Sequence, residues 1–160
     1  MANEITTEID IPIRFKKRPN AVAPDFRPSW KLSLLLLTLY LSSRGGKSSL
    51  TRLHVLNWAV RSSRHQREFI ATLKSETPLF SFKVRFEPAF SRAVDLAAAA
   101  RLIAWVGGNR IELTATGSQI ARKLKRDSHL FAPETSFLES VGKSVTEPQA
   151  LRLAKGADIA

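Results

Sequence analysis

Few side chains in this sequence are spaced for chemistry on a covalent bond. The three histidines, His54, His65 and His129, show none of the spacings with which imidazoles share a metal ion. His54 stands between Leu53 and Val55 and reads as a hydrogen-bonded helix residue rather than a ligand. The acids Asp10, Glu68, Glu76, Glu87, Asp95 and Glu112 are scattered and form no close pair for acid–base work. There is no cysteine, which excludes thiolate chemistry and disulfides, and no serine or threonine stands in a nucleophile elbow. Arg44-Gly45-Gly46-Lys47-Ser48 ends like a Walker A loop, but that pattern needs a glycine five residues before Gly46, where Leu41 stands. The loop must also follow a strand, and this one follows a helical pattern. The glycine pair is better read as a helix C-cap and turn, with Ser48 or Ser49 capping the next helix. No enzyme activity, cofactor or metal is expected.

What the sequence offers instead is positive charge. Lys and Arg total 25 against 14 Asp and Glu, a net charge of +11. Such a balance points to a polyanionic partner, most often nucleic acid, or else to an acidic protein surface. Between Asp25 and Glu68 there is no carboxylate, while Arg27, Lys31, Arg44, Lys47, Arg52, Arg61, Arg64 and Arg67 all fall there. The candidates for phosphate contact are therefore Arg44, Lys47, Arg52, Arg61, Arg64 and Arg67, joined by Lys16, Lys17 and Arg18 in an N-terminal arm. The arm reads equally as a solvated linker. A second cluster, Arg122, Lys123, Lys125 and Arg126, ends a helix, where cations also complement the helix dipole.

These cations need elements to hold them. With 160 residues and 44% apolar content, the chain suits one domain with appendages. Ile9, Ile11 and Ile13 alternate with polar residues and suggest a short strand, which Pro12 restricts to an edge. Pro19, Pro24 and Pro28 make residues 16–28 extended. Ser29 is a plausible N-cap for a helix with Trp30, Leu34, Leu37, Tyr40 and Leu41 on one face. Leu35, Leu36 and Leu39 widen that face, so the helix is buried on more than one side. A second helix carries Leu50, Leu53, Leu56 and Val60, and a shorter one Phe69, Ile70 and Leu73. Phe80, Phe82, Val84 and Phe86 alternate with Ser81, Lys83 and Arg85, which predicts an edge strand over 80–86.

The chain appears organised around Pro88 to Arg126 when read by pattern alone. A helix (Phe90, Ala93, Val94, Ala97) leads into an apolar strand, 102–106, then Gly107-Gly108-Asn109, then the alternating strand Arg110 to Leu113. Thr114 stands where an N-cap is needed, and Ile120, Ala121 and Leu124 follow at helical spacing. Helix, two-stranded hairpin, helix is the back half of a winged helix-turn-helix domain. The fold expected is thus α+β and mostly helical, with a β-hairpin wing. The helix before the wing is a poor reader of bases: it offers Ser91, Arg92 and Asp95, then alanines from Ala97 to Ala100. That favours backbone contact, or protein docking, over sequence-specific recognition.

Beyond Asp127 come a short helix ending at Gly142 and another opened by the capping box Thr146-Glu147-Pro148-Gln149, carrying Leu151 and Leu153. They either close over the core or dock on a partner. The expected division is residues 1–28 as strand and basic arm, 29–127 as the winged-helix domain, and 128–160 as C-terminal helices. No apolar run reaches the ~18 residues of a membrane span, and the polar, acidic start is unlike a signal peptide. A cytoplasmic location is expected.

Two stretches, RPSWKLSLLLLTLYLSSRGGKSSLTRLHVLNWAV (Arg27 to Val60) and VRFEPAFSRAVDLAAAARLI (Val84 to Ile103), resemble the small middle component of bacterial three-component ABC-ATPase systems, the Lamassu-type anti-phage defence systems. The similarity covers roughly Pro12 to Leu124. It implies a small winged-helix-like accessory subunit that associates with an SMC-like ABC ATPase and with a third subunit, often an effector nuclease, acting on double-stranded DNA without a membrane. It carries over no individual functional residue. The alternative is a free-standing winged-helix DNA-binding transcriptional regulator. Such regulators are usually dimers, and the sequence offers no long dimerisation helix.

Overall fold

The computed structural model describes residues 27–74 and 84–158. In chain order they form α1 (Pro28–Ser42), a 3₁₀ turn (Arg44–Gly46), β1 (Lys47–Ser49), α2 (Leu50–Val60), α3 (Ser63–Lys74), α4 (Pro88–Ala99), β2 (Ile103–Trp105), β3 (Arg110–Leu113), α5 (Ala115–Arg126), α6 (Ala132–Val141), a second 3₁₀ turn (Gly142–Ser144) and α7 (Glu147–Asp158). The architecture is α+β: seven helices and one three-stranded antiparallel sheet among the described residues. The expected strand at Ile9–Ile13 and the basic cluster Lys16, Lys17 and Arg18 lie outside the described residues.

The organising element is α1, not the stretch from Pro88 to Arg126. Its leucines serve two cores. Leu34, Leu37 and Leu41 pack with Val55, Leu56 and Trp58 of α2, Phe69 of α3, Phe137 and Leu138 of α6, and Ala150 and Ala154 of α7. Leu35, Leu36 and Leu39 pack with Phe90, Val94 and Ala97 of α4, Ile103 and Ile111 of the sheet, and Ala121 of α5. An apolar belt all round a helix can be buried only between two layers. The helix starts two residues earlier than expected. Pro28 occupies its first turn and Arg27 stands at the N-cap without a side-chain cap, so Ser29 is not the cap.

The hairpin expected after α4 forms. Ile103 pairs with Leu113, Ala104 with Glu112 and Trp105 with Ile111. Gly107 (φ 104°) and Gly108 (φ 56°) supply the left-handed turn. Thr114 caps α5, accepting from the Gly117 N–H at 3.1 Å and donating to the Arg101 carbonyl at 2.8 Å. A side chain on Gly117 would collide with the Leu102 carbonyl oxygen, so α5 can approach the hairpin this closely only at glycine.

Two sequence expectations are corrected. β1 was not predicted, because Lys47-Ser48-Ser49 has no strand propensity of its own; it exists by pairing with β3, Lys47 opposite Glu112, Ser48 opposite Ile111 and Ser49 opposite Arg110. Sheet order is β1-β3-β2, which leaves β1 and β2 at opposite edges. The strand expected over 80–86 has residues 80–83 outside the described residues, and 84–87 pair with no strand. Val84 enters the core, while Phe86, half exposed, stacks on His54 of α2.

The C-terminal helices close over the core. Phe137 and Leu138 enter it from α6 and Ala150 and Ala154 from α7, while Leu151 faces outward. Gly142 does not end α6 through a left-handed conformation, since its φ is −57°. A Cβ there would overlap Ser42, so this glycine permits close approach to α1. The capping box is formed, Thr146 N–H to Gln149 Oε1 at 2.8 Å and Gln149 N–H to Thr146 Oγ1 at 3.3 Å.

Candidate nucleic-acid interface

Most of the cations of the acid-free interval fall into three environments. Two are buried. Lys31 is 1% exposed and bonds the Glu87 carboxylate at 2.8 Å, to which Asn57 also donates at 3.2 Å. Arg52 is 5% exposed and uses all five of its N–H donors. Its Nε donates to the Val145 carbonyl at 2.7 Å, Nη1 to the hydroxyls of Ser43 (3.4 Å) and Ser48 (3.2 Å), and Nη2 to the carbonyls of Ser42 (2.6 Å) and Gly142 (2.5 Å). Burial pulls its pKa down and the Glu147 charge partly restores it. The sequence placed Arg52 among the phosphate contacts; the fold uses it to join the end of α1 to the second 3₁₀ turn.

The second environment is the far end of α2. Arg61 caps that helix and Arg64 and Arg67 are exposed on α3, with Arg64 Nε bonded to Glu68 at 2.8 Å. At a rise of about 1.5 Å per residue, the length of α2 separates them from Ser49 by about 16 Å. So the acid-free interval is not one continuous field.

The third environment is a cleft of about 250 Å³ at the β1 edge. Four exposed cations line it: Arg44 from the first 3₁₀ turn, Lys47 from β1, Arg110 from β3 and Lys143 from the second 3₁₀ turn, with Arg52 beneath. Lys47 pairs with Glu112 at 2.8 Å. Glu147 also borders the cleft, but both its oxygens turn to the start of α2, accepting from the Ser49 N–H at 3.0 Å and the Ser49 hydroxyl at 2.5 Å. Ser49 in turn caps α2, accepting from the Arg52 N–H at 3.1 Å. A wider cleft of about 720 Å³ lies across the Arg44–Gly46 turn, lined by Arg122, Lys125 and Lys143. There Lys125 bonds Glu139 at 2.7 Å, and that bond raises its pKa.

The sequence thus found Arg44 and Lys47 but missed Arg110 and Lys143. Arg110 reaches the cleft because β3 pairs with the unpredicted β1, so no local signal marks it. Lys143 follows Gly142, whose close contact with Ser42 sets its position.

The opposite sheet edge is different. The outward stripe of α4 is Ser91, Arg92, Asp95, Leu96, Ala99 and Ala100. Leu96 is 48% exposed and Trp105, on edge strand β2, 50% exposed. This surface has one guanidinium and little else that could read a base edge. His54 is not the hydrogen-bonded residue expected: its ring stacks on Phe86 at 4.4 Å and meets Phe90 edge-on at 5.1 Å, while Nδ1 has no hydrogen-bond partner. Burial lowers its pKa, with the Glu87 charge opposing.

No family model, curated protein or solved structure matches this chain. Among the described residues no helix is long and apolar enough to cross a membrane.

Proposed function

We propose that this chain is a non-catalytic accessory subunit of an SMC-like ABC-ATPase complex of the anti-phage defence type. In that complex it docks on protein through one edge of its sheet and holds DNA backbone, without reading sequence, at the other. The fold is winged-helix-like: helix, strand, helices, then helix, hairpin and helix, with the sheet order β1-β3-β2. The observation that carries the reading is the division of chemistry between the two edges, converging cations at β1 and, at α4 and β2, a face where Leu96, Trp105 and alanines are exposed with a single Arg92–Asp95 stretch of charge. A reader of base sequence needs donors and acceptors on the helix before the wing, whereas a docking subunit needs apolar area there.

Affinity purification of the natively expressed chain tests this. It should retain an SMC-like ATPase, and hydrogen exchange with and without that ATPase should protect α4 and β2. Recovery of a homodimer without ATPase, selective for one duplex sequence, would replace this reading with the transcriptional regulator.

A further inference from the structure

The cleft at the β1 edge is unusual in how its charges converge. Arg44, Lys47, Arg110 and Lys143 come from four separate elements and share a hollow of about 250 Å³. Like charges held in one concavity repel one another, and an anion bound among them relieves this beyond what solvent and salt screening do. The acids nearby are already engaged, Glu112 by Lys47 at 2.8 Å and Glu147 by Ser49 at 3.0 Å. Arg44, Arg110 and Lys143 form no ion pair among the described residues. Arg52 beneath them adds charge to the field, but its donors are fully used, so it offers no contact. The fold already seats an anion against this wall, since the Glu147 carboxylate sits on the Ser49 N–H at the start of α2.

We infer that this cleft is a binding site for a phosphate group. Two guanidinium forks, Arg44 and Arg110, supply directed donors and Lys143 a point charge, while Lys47 at the rim is paired with Glu112. The hollow is too small for a duplex and suits one phosphate or two linked ones. The phosphate belongs either to a nucleic-acid strand or to a free phosphorylated small molecule; the shared chemistry is a multiply charged phosphate oxyanion. The inference deepens the backbone-binding half of the proposed function and, for the strand source, rests on it.

The test is calorimetric titration of the full chain with sodium pyrophosphate at constant ionic strength. The Arg110→Gln/Lys143→Gln pair is compared with Arg64→Gln/Arg67→Gln, which removes the same charge elsewhere. One saturable site is expected. It should weaken at least about tenfold in the first pair, as the loss of charge-assisted bonds requires, and less than about twofold in the second. Arg110→Lys should recover part of the affinity by restoring charge without the fork. Both exposed positions leave the cores intact, and a thermal melt checks this. Absence of saturable binding, or equal weakening in both pairs, overturns the site. A second arm adds a short duplex. If pyrophosphate displaces it, a strand phosphate occupies the cleft. If pyrophosphate binds with the duplex undisturbed, the site stands for a free phosphorylated molecule and the DNA reading of this edge fails separately.

Discussion

Arg52 and His54 show how the same charge or ring takes a different role once buried. Arg52 stood in a row of cations that looked uniformly available to phosphate, yet it bonds the carbonyls of Ser42, Gly142 and Val145. Arg52→Leu leaves those carbonyls without a donor and should cost on the order of 3 kcal/mol. Arg52→Lys should recover less than half, because an ammonium has three donors and no planar fork. Urea denaturation midpoints at unchanged slope are the measurement. For His54 the sign of the pH effect follows from its lowered pKa. The unfolded chain takes up a proton on this ring below pH ~6.5, while the folded ring takes one up only at lower pH, so between the two the unfolded state binds more protons and stability falls as pH drops. His54→Leu should therefore flatten the fall in stability between pH 7 and pH 5, by at most about 1.4 kcal/mol per pH unit. Parallel slopes for the two proteins would show that other groups set the pH dependence.

At the scale of elements, two glycines fix how helices approach their neighbours. Gly142→Ala would push the second 3₁₀ turn against Ser42, and overpacking of this kind should cost about 1–3 kcal/mol. Gly117→Ala should cost more, because the obstacle is the Leu102 backbone carbonyl rather than a side chain. Thermal unfolding of the two variants ranks them. Elements were legible where the signal is local: the Gly107-Gly108 turn, the Thr114 cap, the Thr146 capping box and the Ser49 cap all lie within four residues of the groups they serve. β1 was not legible, because its three residues are held by partners on β3, far along the chain. In the described part of the alternation before Glu87, Val84 is buried and Phe86 half exposed, and no strand lies alongside: a period of two does not by itself supply a partner strand. The candidate cleft shared this fate, with Arg44 and Lys47 visible and Arg110 and Lys143 hidden until β1 paired.

For the whole molecule, net charge overstated the usable charge. Of the cations in the acid-free interval, Lys31 and Arg52 are buried, and Arg61, Arg64 and Arg67 lie beyond the length of α2 from the cleft. Backbone binding should therefore depend on few residues. Removing Arg44 and Arg110 together should flatten the log–log salt dependence of duplex binding by about two units, at roughly 0.9 per phosphate contact. The loss should be the same for unrelated duplexes, since phosphate contacts carry no sequence. Binding across a salt series on two duplexes checks both points, and a loss confined to one duplex would favour sequence reading.

The position of α1 between two cores also governs how the chain comes to exist. Of the described elements α1 is the first to leave the ribosome, whereas the helices that cover it, α4, α5 and α6, come late in the chain. At synthesis rates of ~5–20 residues per second a leucine-rich helix waits several seconds with neither layer complete. α2, next in the chain, can cover part of it early, but α4, α5 and α6 are distant in sequence and must be found by long-range closure. The element that holds the finished fold together is thus the nascent chain's chief hazard, and a chaperone or an assembling partner has its natural point of entry there.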